Sequence, residues 1–201
     1  MDIQILLRDR NINLVNAWSK EFKNYHNIKI SCGDIFGLSA DAIISPANSF
    51  GFMDGGIDLR YTIYFGLDLQ KSLQNKIRSD FYGELPVGLA TIVETNNAKI
   101  KYLISCPTMR VPEDVSNTVN AYLAFRAGLT EAINFNRNNS EKITSILCPG
   151  LGTSSGMMPK TICAIQMKYA YDSIFGRGND FPNDLWEAHD LHMKMKKQEA
   201  Q

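Results

Sequence analysis

The chain has 201 residues, 44% of them hydrophobic, enough to bury the core of one ordinary domain. Lys plus Arg equals Asp plus Glu at 21 each, so the broad basic face that holds a phosphate backbone is missing and bulk nucleic-acid binding is not expected. The start, "MDIQILLRDRN", holds an apolar run too short for a signal peptide or a membrane span, which gives a cytoplasmic protein with no membrane partner as the expectation.

In chain order, "IQILL" (3–7) reads as a strand, "NLVNAWSKEFKNY" (13–25) as an amphipathic helix and "IKIS" (28–31) as a second strand, a β-α-β start. "DAIIS" (41–45) is a third strand, continuously apolar as a strand covered on both faces must be. "IDLRYTIYFG" and "LDLQKSLQNKIRSDF" follow as helices, the second with Leu69, Leu73, Ile77 and Phe81 at four-residue spacing. "GLATIVET" (88–95) and "IKYLISC" (100–106) form a hairpin-like pair around "NNAK", adding an antiparallel edge.

The segment 114–135 carries Val115, Val119, Tyr122, Arg126, Leu129 and Ile133 on a near-helical repeat, with Asp114 or Ser116 as its cap. "KITSILC" (142–148) is a strand, and 159–175 a helix with Pro159 in its first turn. From about residue 177 to 201 the chain reads as a polar tail with a linker and a short surface helix, outside a single domain of residues 1–176. Cys32, Cys106, Cys148 and Cys163 are far apart, and three of them lie in or beside apolar segments, the pattern of packed thiols. Of three histidines, His189 and His192 fall in the tail and His26 stands alone. Neither a disulfide framework nor a metal site is expected.

Three apolar strands end alike, as "AIISP", "YLISCP" and "SILCP". Proline has no N–H for a ladder, so each strand stops there. A single such proline is only punctuation. If the three strands run parallel, Pro46, Pro107 and Pro149 bring three loops out at one carboxyl edge, where open α/β sheets bind ligands.

After the last of these strands, "PGLGTSSGMMP" offers Gly150, Gly152 and Gly156, the hydroxyls of Thr153, Ser154 and Ser155, and then a helix start. That arrangement aims free N–H groups and a helix dipole at one point, a seat for phosphate, or else it is a plain turn with glycines for geometry. The Lys-Ser/Thr ending of a triphosphatase loop is absent. A dinucleotide fingerprint ranks lower, because the spacing is one residue too long and the loop follows a late strand.

The loop after the third strand, "SPANSFGFMDGGID", places Asn48 where its amide can both donate to and accept from a diol such as ribose. Gly55 and Gly56 allow close backbone approach, and a helix beginning near Ile57 adds free donors. Asp58, in that helix's first turn, is either a functional carboxylate or a dipole partner. In "SCGDIFG" (31–37), Asp34 caps the next turn or accepts from an exocyclic amine such as that of adenine.

In this order, "GDI", "DAIISPAN", "GGID" and "ILCPGLGT" followed by "G" and "MP" resemble the macrodomain family of ADP-ribose-binding proteins over roughly residues 28–175. The resemblance implies a three-layer α/β/α fold with a mixed sheet. It implies that Asp34 and Ile35 hold adenine, that Asn48 binds the distal ribose, that Gly55, Gly56 and Ile57 line one side of the diphosphate, and that Gly150, Leu151, Gly152, Thr153, Ser154, Ser155 and Gly156 wrap the other. Asp58 matches the aspartate that, in the hydrolytic branch, acts on a water at the distal ribose C1 bond, with Asn48 assisting and no metal or cofactor. Departures accompany the match: the common N-A-A-N is "SPAN", Asp54 enters the glycine run, Ser154 replaces a glycine, no aromatic occurs from Thr153 to Met158, and Thr62 stands where a histidine is common. Binding tolerates these changes more readily than catalysis.

Three activities follow as expectations. The first is hydrolysis of ADP-ribosyl esters or ADP-ribose phosphates, with Asp58 as general base through one water. The second is a non-catalytic reader of ADP-ribose, free or on a modified substrate. The third, ranked last, is an NAD-dependent enzyme built on the late glycine loop.

Overall fold

The computed structural model describes residues 3–176 and 181–197. Six strands, β1 (Gln4–Asp9), β2 (Ile28–Cys32), β3 (Ala42–Ser45), β4 (Thr91–Glu94), β5 (Tyr102–Ser105) and β6 (Ser145–Cys148), form one sheet in the order β2-β1-β6-β3-β5-β4. All neighbours are parallel except β4, which pairs antiparallel with β5 as the edge strand expected from the sequence. The central strands are short and apolar but for a serine at one end of each, because both faces are covered. Asp41 ties the start of β3 to that of β6, its Oδ2 accepting from the Thr144 and Ser145 N–H groups at 2.8 and 3.0 Å.

Residue alternation sends neighbouring side chains into two cores. Ile44, Ile104 and Ile146 face α1 (Ile12–Glu21), α4 (Asn120–Asn138) and α5 (Lys160–Phe175), whose Leu14, Trp18, Phe125, Leu129 and Met167 are fully buried. Ile43, Leu103 and Leu147 face the other way, toward α2 (Gly56–Phe65) and α3 (Asp68–Asp80), which supply Tyr61, Leu69, Leu73 and Ile77. The result is the three-layer α/β/α arrangement with a mixed sheet. Cys106, Cys148 and Cys163 are buried as packed thiols, and burial pushes Cys163 up to about 12.

One expectation fails. The helix predicted to start near residue 114 begins at Asn120. Asp114 instead accepts from the Ser116 N–H in a local turn at 2.8 Å, and the Val115 N–H is spent on the Gly156 carbonyl at 2.9 Å. The residues 114–119 thus brace the late glycine loop and do not extend the helix. The helix also turns a different stripe inward: Arg126 is exposed, while Ala124, Phe125, Gly128 and Leu129 are buried. Gly128 sits so close to the sheet that a Cβ there would lie 2.7 Å from Cys106 Sγ.

Of the C-terminal segment, residues 177–180 of the expected linker and 198–201 of the tail lie outside the described residues. Between them α6 (Leu185–Lys196) forms, capped by Asp184, whose Oδ1 accepts from the Glu187 N–H at 2.8 Å. It docks on α5, where Gln166 Nε2 donates to the Met195 carbonyl at 3.2 Å and Met195 is buried. No helix among the described residues is long and apolar enough to cross a membrane.

Candidate active site

Because β6, β3 and β5 are adjacent and parallel, the prolines that end them all point their loops to one edge of the sheet. The loops after β3 and β6 face each other across a hollow of about 410 Å³, within the usual range for small-ligand sites. Its walls contain Asn48, Gly55, Gly56, Ile57 and Asp58 from the first loop and α2, and Gly150, Gly152, Thr153, Ser154, Ser155 and Gly156 from the second. A Cβ on Gly56 would lie 4.0 Å from Ser155 Oγ, whereas one on Gly55 would meet nothing within 4 Å. The two loops therefore bound a slot, with its glycine side left open.

Two helices aim their N-termini at this slot. Neither α2, preceded by Gly55, nor α5, preceded by Pro159, has a side chain capping its first turn. Their first N–H groups are left for another acceptor, together with the positive ends of two dipoles. The late loop is held in shape by its own backbone: Gly152, at φ +67°, accepts from the Met158 N–H at 2.9 Å, and a Cβ on Gly156 would fall 2.8 Å from the Gly152 carbonyl oxygen. That closeness is why a glycine is needed at Gly156.

Asp58 is 6% exposed, yet it lines the hollow. Ser45 Oγ, at the end of β3, donates to its Oδ1 at 2.6 Å, and no other hydrogen bond reaches this carboxyl among the described residues. Burial pushes its carboxyl up to about 7 and the Ser45 bond holds it partly back, so near neutral pH it exists in both protonation states. The helix itself is pinned separately, Tyr61 donating its O–H to the Ile44 carbonyl at 3.0 Å and Thr62 its O–H to the Met53 carbonyl at 2.9 Å.

Asn48 is used differently from the sequence expectation. Its Oδ1 accepts from the Phe50 and Phe52 N–H groups at 3.1 and 3.2 Å, and its Nδ2 donates to the Phe52 carbonyl at 2.8 Å. The amide closes its own loop, so in this structure it is not free both to donate to and to accept from a ligand. What the closure fixes is Phe52, whose half-exposed ring forms part of the hollow's wall.

Asp34 and Ile35 are not in that wall. Asp34 caps a single 3-10 turn (Ile35–Gly37) and binds Arg60 with both oxygens, at 2.9 and 2.8 Å, and Arg10 as well. Partial burial opposes ionisation here, but the Phe36 N–H and the two guanidinium groups outweigh it and hold the carboxyl below its ordinary value. Ile35 and Leu151 are buried in the core, so neither side chain reaches the hollow.

Several wall residues escaped the sequence reading. Asp9, the last residue of β1, and Asn11, two residues on, enter because β1 lies beside β6; Asp9 accepts from the Gly150 N–H at 3.2 Å and Asn11 caps α1. Thr108, Met109 and Pro112 come from the loop after β5. Arg60, half-buried and 5.3 Å over the Phe36 ring, and Lys160, whose Nζ donates to the Thr153 carbonyl at 3.2 Å, add two cations. These partly offset Asp9, Asp54 and Asp58 in the same wall. A lysine in the first turn of a helix opposes the dipole, and that misplacement was the readable signal at Lys160. Among the described residues no three His, Cys, Asp or Glu side chains are grouped to hold a metal ion.

The comparisons agree with this architecture. An uncharacterised protein of Aquifex aeolicus is 31% identical over 141 residues, covering 70% of this chain and 78% of that protein. The macrodomain of Mycobacterium tuberculosis DarG has a TM-score of 0.59 at 18% identity, over 72% of this chain and 89% of that one. A variant of the Oceanobacillus iheyensis macrodomain solved with ADPR has a TM-score of 0.60 at 18% identity, over 73% and 76%. The family model described as Macro domain matches residues 44–167, from inside β3 to inside α5, and so takes in both loops that wall the hollow: the chain belongs to the macrodomain family.

Proposed function

We propose that the hollow binds ADP-ribose and that the chain removes ADP-ribose from an ester or phosphate linkage. The observation that carries this reading is the placement of a buried, singly hydrogen-bonded carboxyl, Asp58, in the wall of a slot edged by two uncapped helix N-termini. A pyrophosphate suits those N–H groups and dipoles, with Arg60 and Lys160 in reach of its charge. The family's ligand, present in the Oceanobacillus iheyensis relative, supports the same choice.

In this scheme ionised Asp58 accepts a proton from a water as that water's oxygen bonds to C1 of the distal ribose. The bond from C1 to the departing ester or phosphate oxygen breaks, and the electron pair leaves with that oxygen. A base held near neutrality is suited to such a transfer. Asp34, outside the wall, contributes by holding Arg60 in place, and Phe52 supplies the aromatic face that the late loop lacks.

One observation favours the alternative of a pure reader: the Asn48 amide, which would orient the distal ribose, is engaged within its own loop. Calorimetry with ADP-ribose, AMP and NAD, followed by incubation with ADP-ribosylated protein and with ADP-ribose 1″-phosphate, separates the readings. Preference for ADP-ribose with release of product supports hydrolysis. Tight binding without product supports the reader, and preference for NAD would displace both.

A further inference from the structure

Ser45 occupies the last position of an otherwise aliphatic strand and is completely buried. A buried hydroxyl must find a partner or incur a desolvation cost. Its Cα partner across the sheet, Ser105, shows that cost, since its Oγ is buried with no hydrogen bond among the described residues. Ser45 instead donates to Asp58 Oδ1 at 2.6 Å, a short bond of the charge-assisted kind.

This bond is not what docks the helix. Tyr61 already ties α2 to the Ile44 carbonyl, and Thr62 ties it to Met53. Among the described residues the Ser45 hydroxyl hydrogen-bonds to the carboxyl alone. With Oδ1 anchored to the strand end, the Asp58 side chain loses its rotational freedom, and Oδ2, which accepts no hydrogen bond among the described residues, is the oxygen left for the hollow.

We propose that Ser45 is a positioning residue for Asp58: its hydroxyl fixes one carboxyl oxygen, directs the other at the hollow and stabilises the ionised form. The kinetic consequence rests on the hydrolytic reading above, whereas the charge consequence does not. The other titratable groups around this carboxyl are Tyr61 on its own helix and Cys106 just after β5, both pushed up by burial, with Asp9, Asp54, Arg60 and Lys160 elsewhere in the wall. None of these donates a hydrogen bond to Asp58.

The test is a carbon-13 NMR titration of the full chain labelled at aspartate carboxyls, the Asp58 signal being the one lost in Asp58→Asn. Ser45→Ala removes the donor. Ser45→Cys, close in size with a much weaker donor, separates the hydrogen bond from packing. In both variants the Asp58 midpoint is expected to rise by about one pH unit, with ADP-ribose affinity unchanged. If wild-type protein cleaves ADP-ribose 1″-phosphate, the acid limb of kcat moves up by the same amount and turnover at pH 7 falls about fivefold, because a group half ionised there becomes roughly one-tenth ionised.

An unchanged Asp58 midpoint in Ser45→Ala overturns the proposal, and so does loss of the native fold in both variants, which would make Ser45 structural. A raised midpoint in a protein that cleaves nothing keeps Ser45 in its role and removes the hydrolytic reading instead.

Discussion

Replacing Asp58 by asparagine should make the protein more stable, increasingly so as pH rises. Burial lifts this carboxyl from its ordinary 3.8 to about 7. Between those values the folded state binds more protons than the unfolded one, so stability falls with rising pH and levels off above about 7. A gap of roughly three units at about 1.4 kcal/mol each comes to about 4 kcal/mol of destabilisation at pH 8, with almost none below pH 4. Asparagine keeps the shape, can still accept from Ser45 Oγ, and carries no charge to desolvate. The advantage of Asp58→Asn over wild type should therefore grow by about 3 kcal/mol from pH 5 to pH 8. In a chain of this length that is on the order of 10 °C in melting temperature. Urea or thermal unfolding of both proteins across this range, compared pairwise so that all other titrations cancel, gives the number. Parallel curves, with a constant difference from pH 5 to pH 8, would refute the buried, neutral-leaning carboxyl and with it the base assigned to the hollow.

Three further outcomes are expected. Asp58→Ala should lower turnover of an ADP-ribosyl ester by about 10²–10⁴-fold while ligand affinity, read by calorimetry, stays nearly intact. Gly156→Ala should destabilise by about 2 kcal/mol in urea melts, since its Cβ would lie 2.8 Å from the Gly152 carbonyl oxygen, and should abolish ADP-ribose binding; Gly55→Ala, with open space at 4 Å, should melt within about 0.5 kcal/mol of wild type. Ser105→Ala, which removes a buried hydroxyl that has no hydrogen-bond partner among the described residues, should be neutral or stabilising by up to about 1 kcal/mol.

The strands that end in proline were legible because the signal is local: an apolar run and a residue that cannot continue the ladder. Their convergence followed from parallel pairing, and so did the two facing loops. Sheet order was not legible, because the position of β1 beside β6 depends on contacts across the whole chain; Asp9 and Asn11 went unnoticed for that reason. The start of α4 was misplaced because a helical repeat says nothing about a competing acceptor, here the Gly156 carbonyl that takes the Val115 N–H. Asn48 and Asp34 were correctly read as polar groups at loop starts. Which partner each selects is a matter of tertiary geometry: one closes its own loop and the other grips Arg60.

The family match opens at residue 44, but the pairing of β1 with β6 crosses that border. A fragment trimmed to the matched segment would bare the backbone edge of a central strand, a template for sticking to other chains. It would also strip Asp9 from the Gly150 N–H, loosening one lip of the slot. Residues 3–43, which carry β1 and β2, are thus part of the vessel itself, and boundaries drawn at the match would leave its wall incomplete.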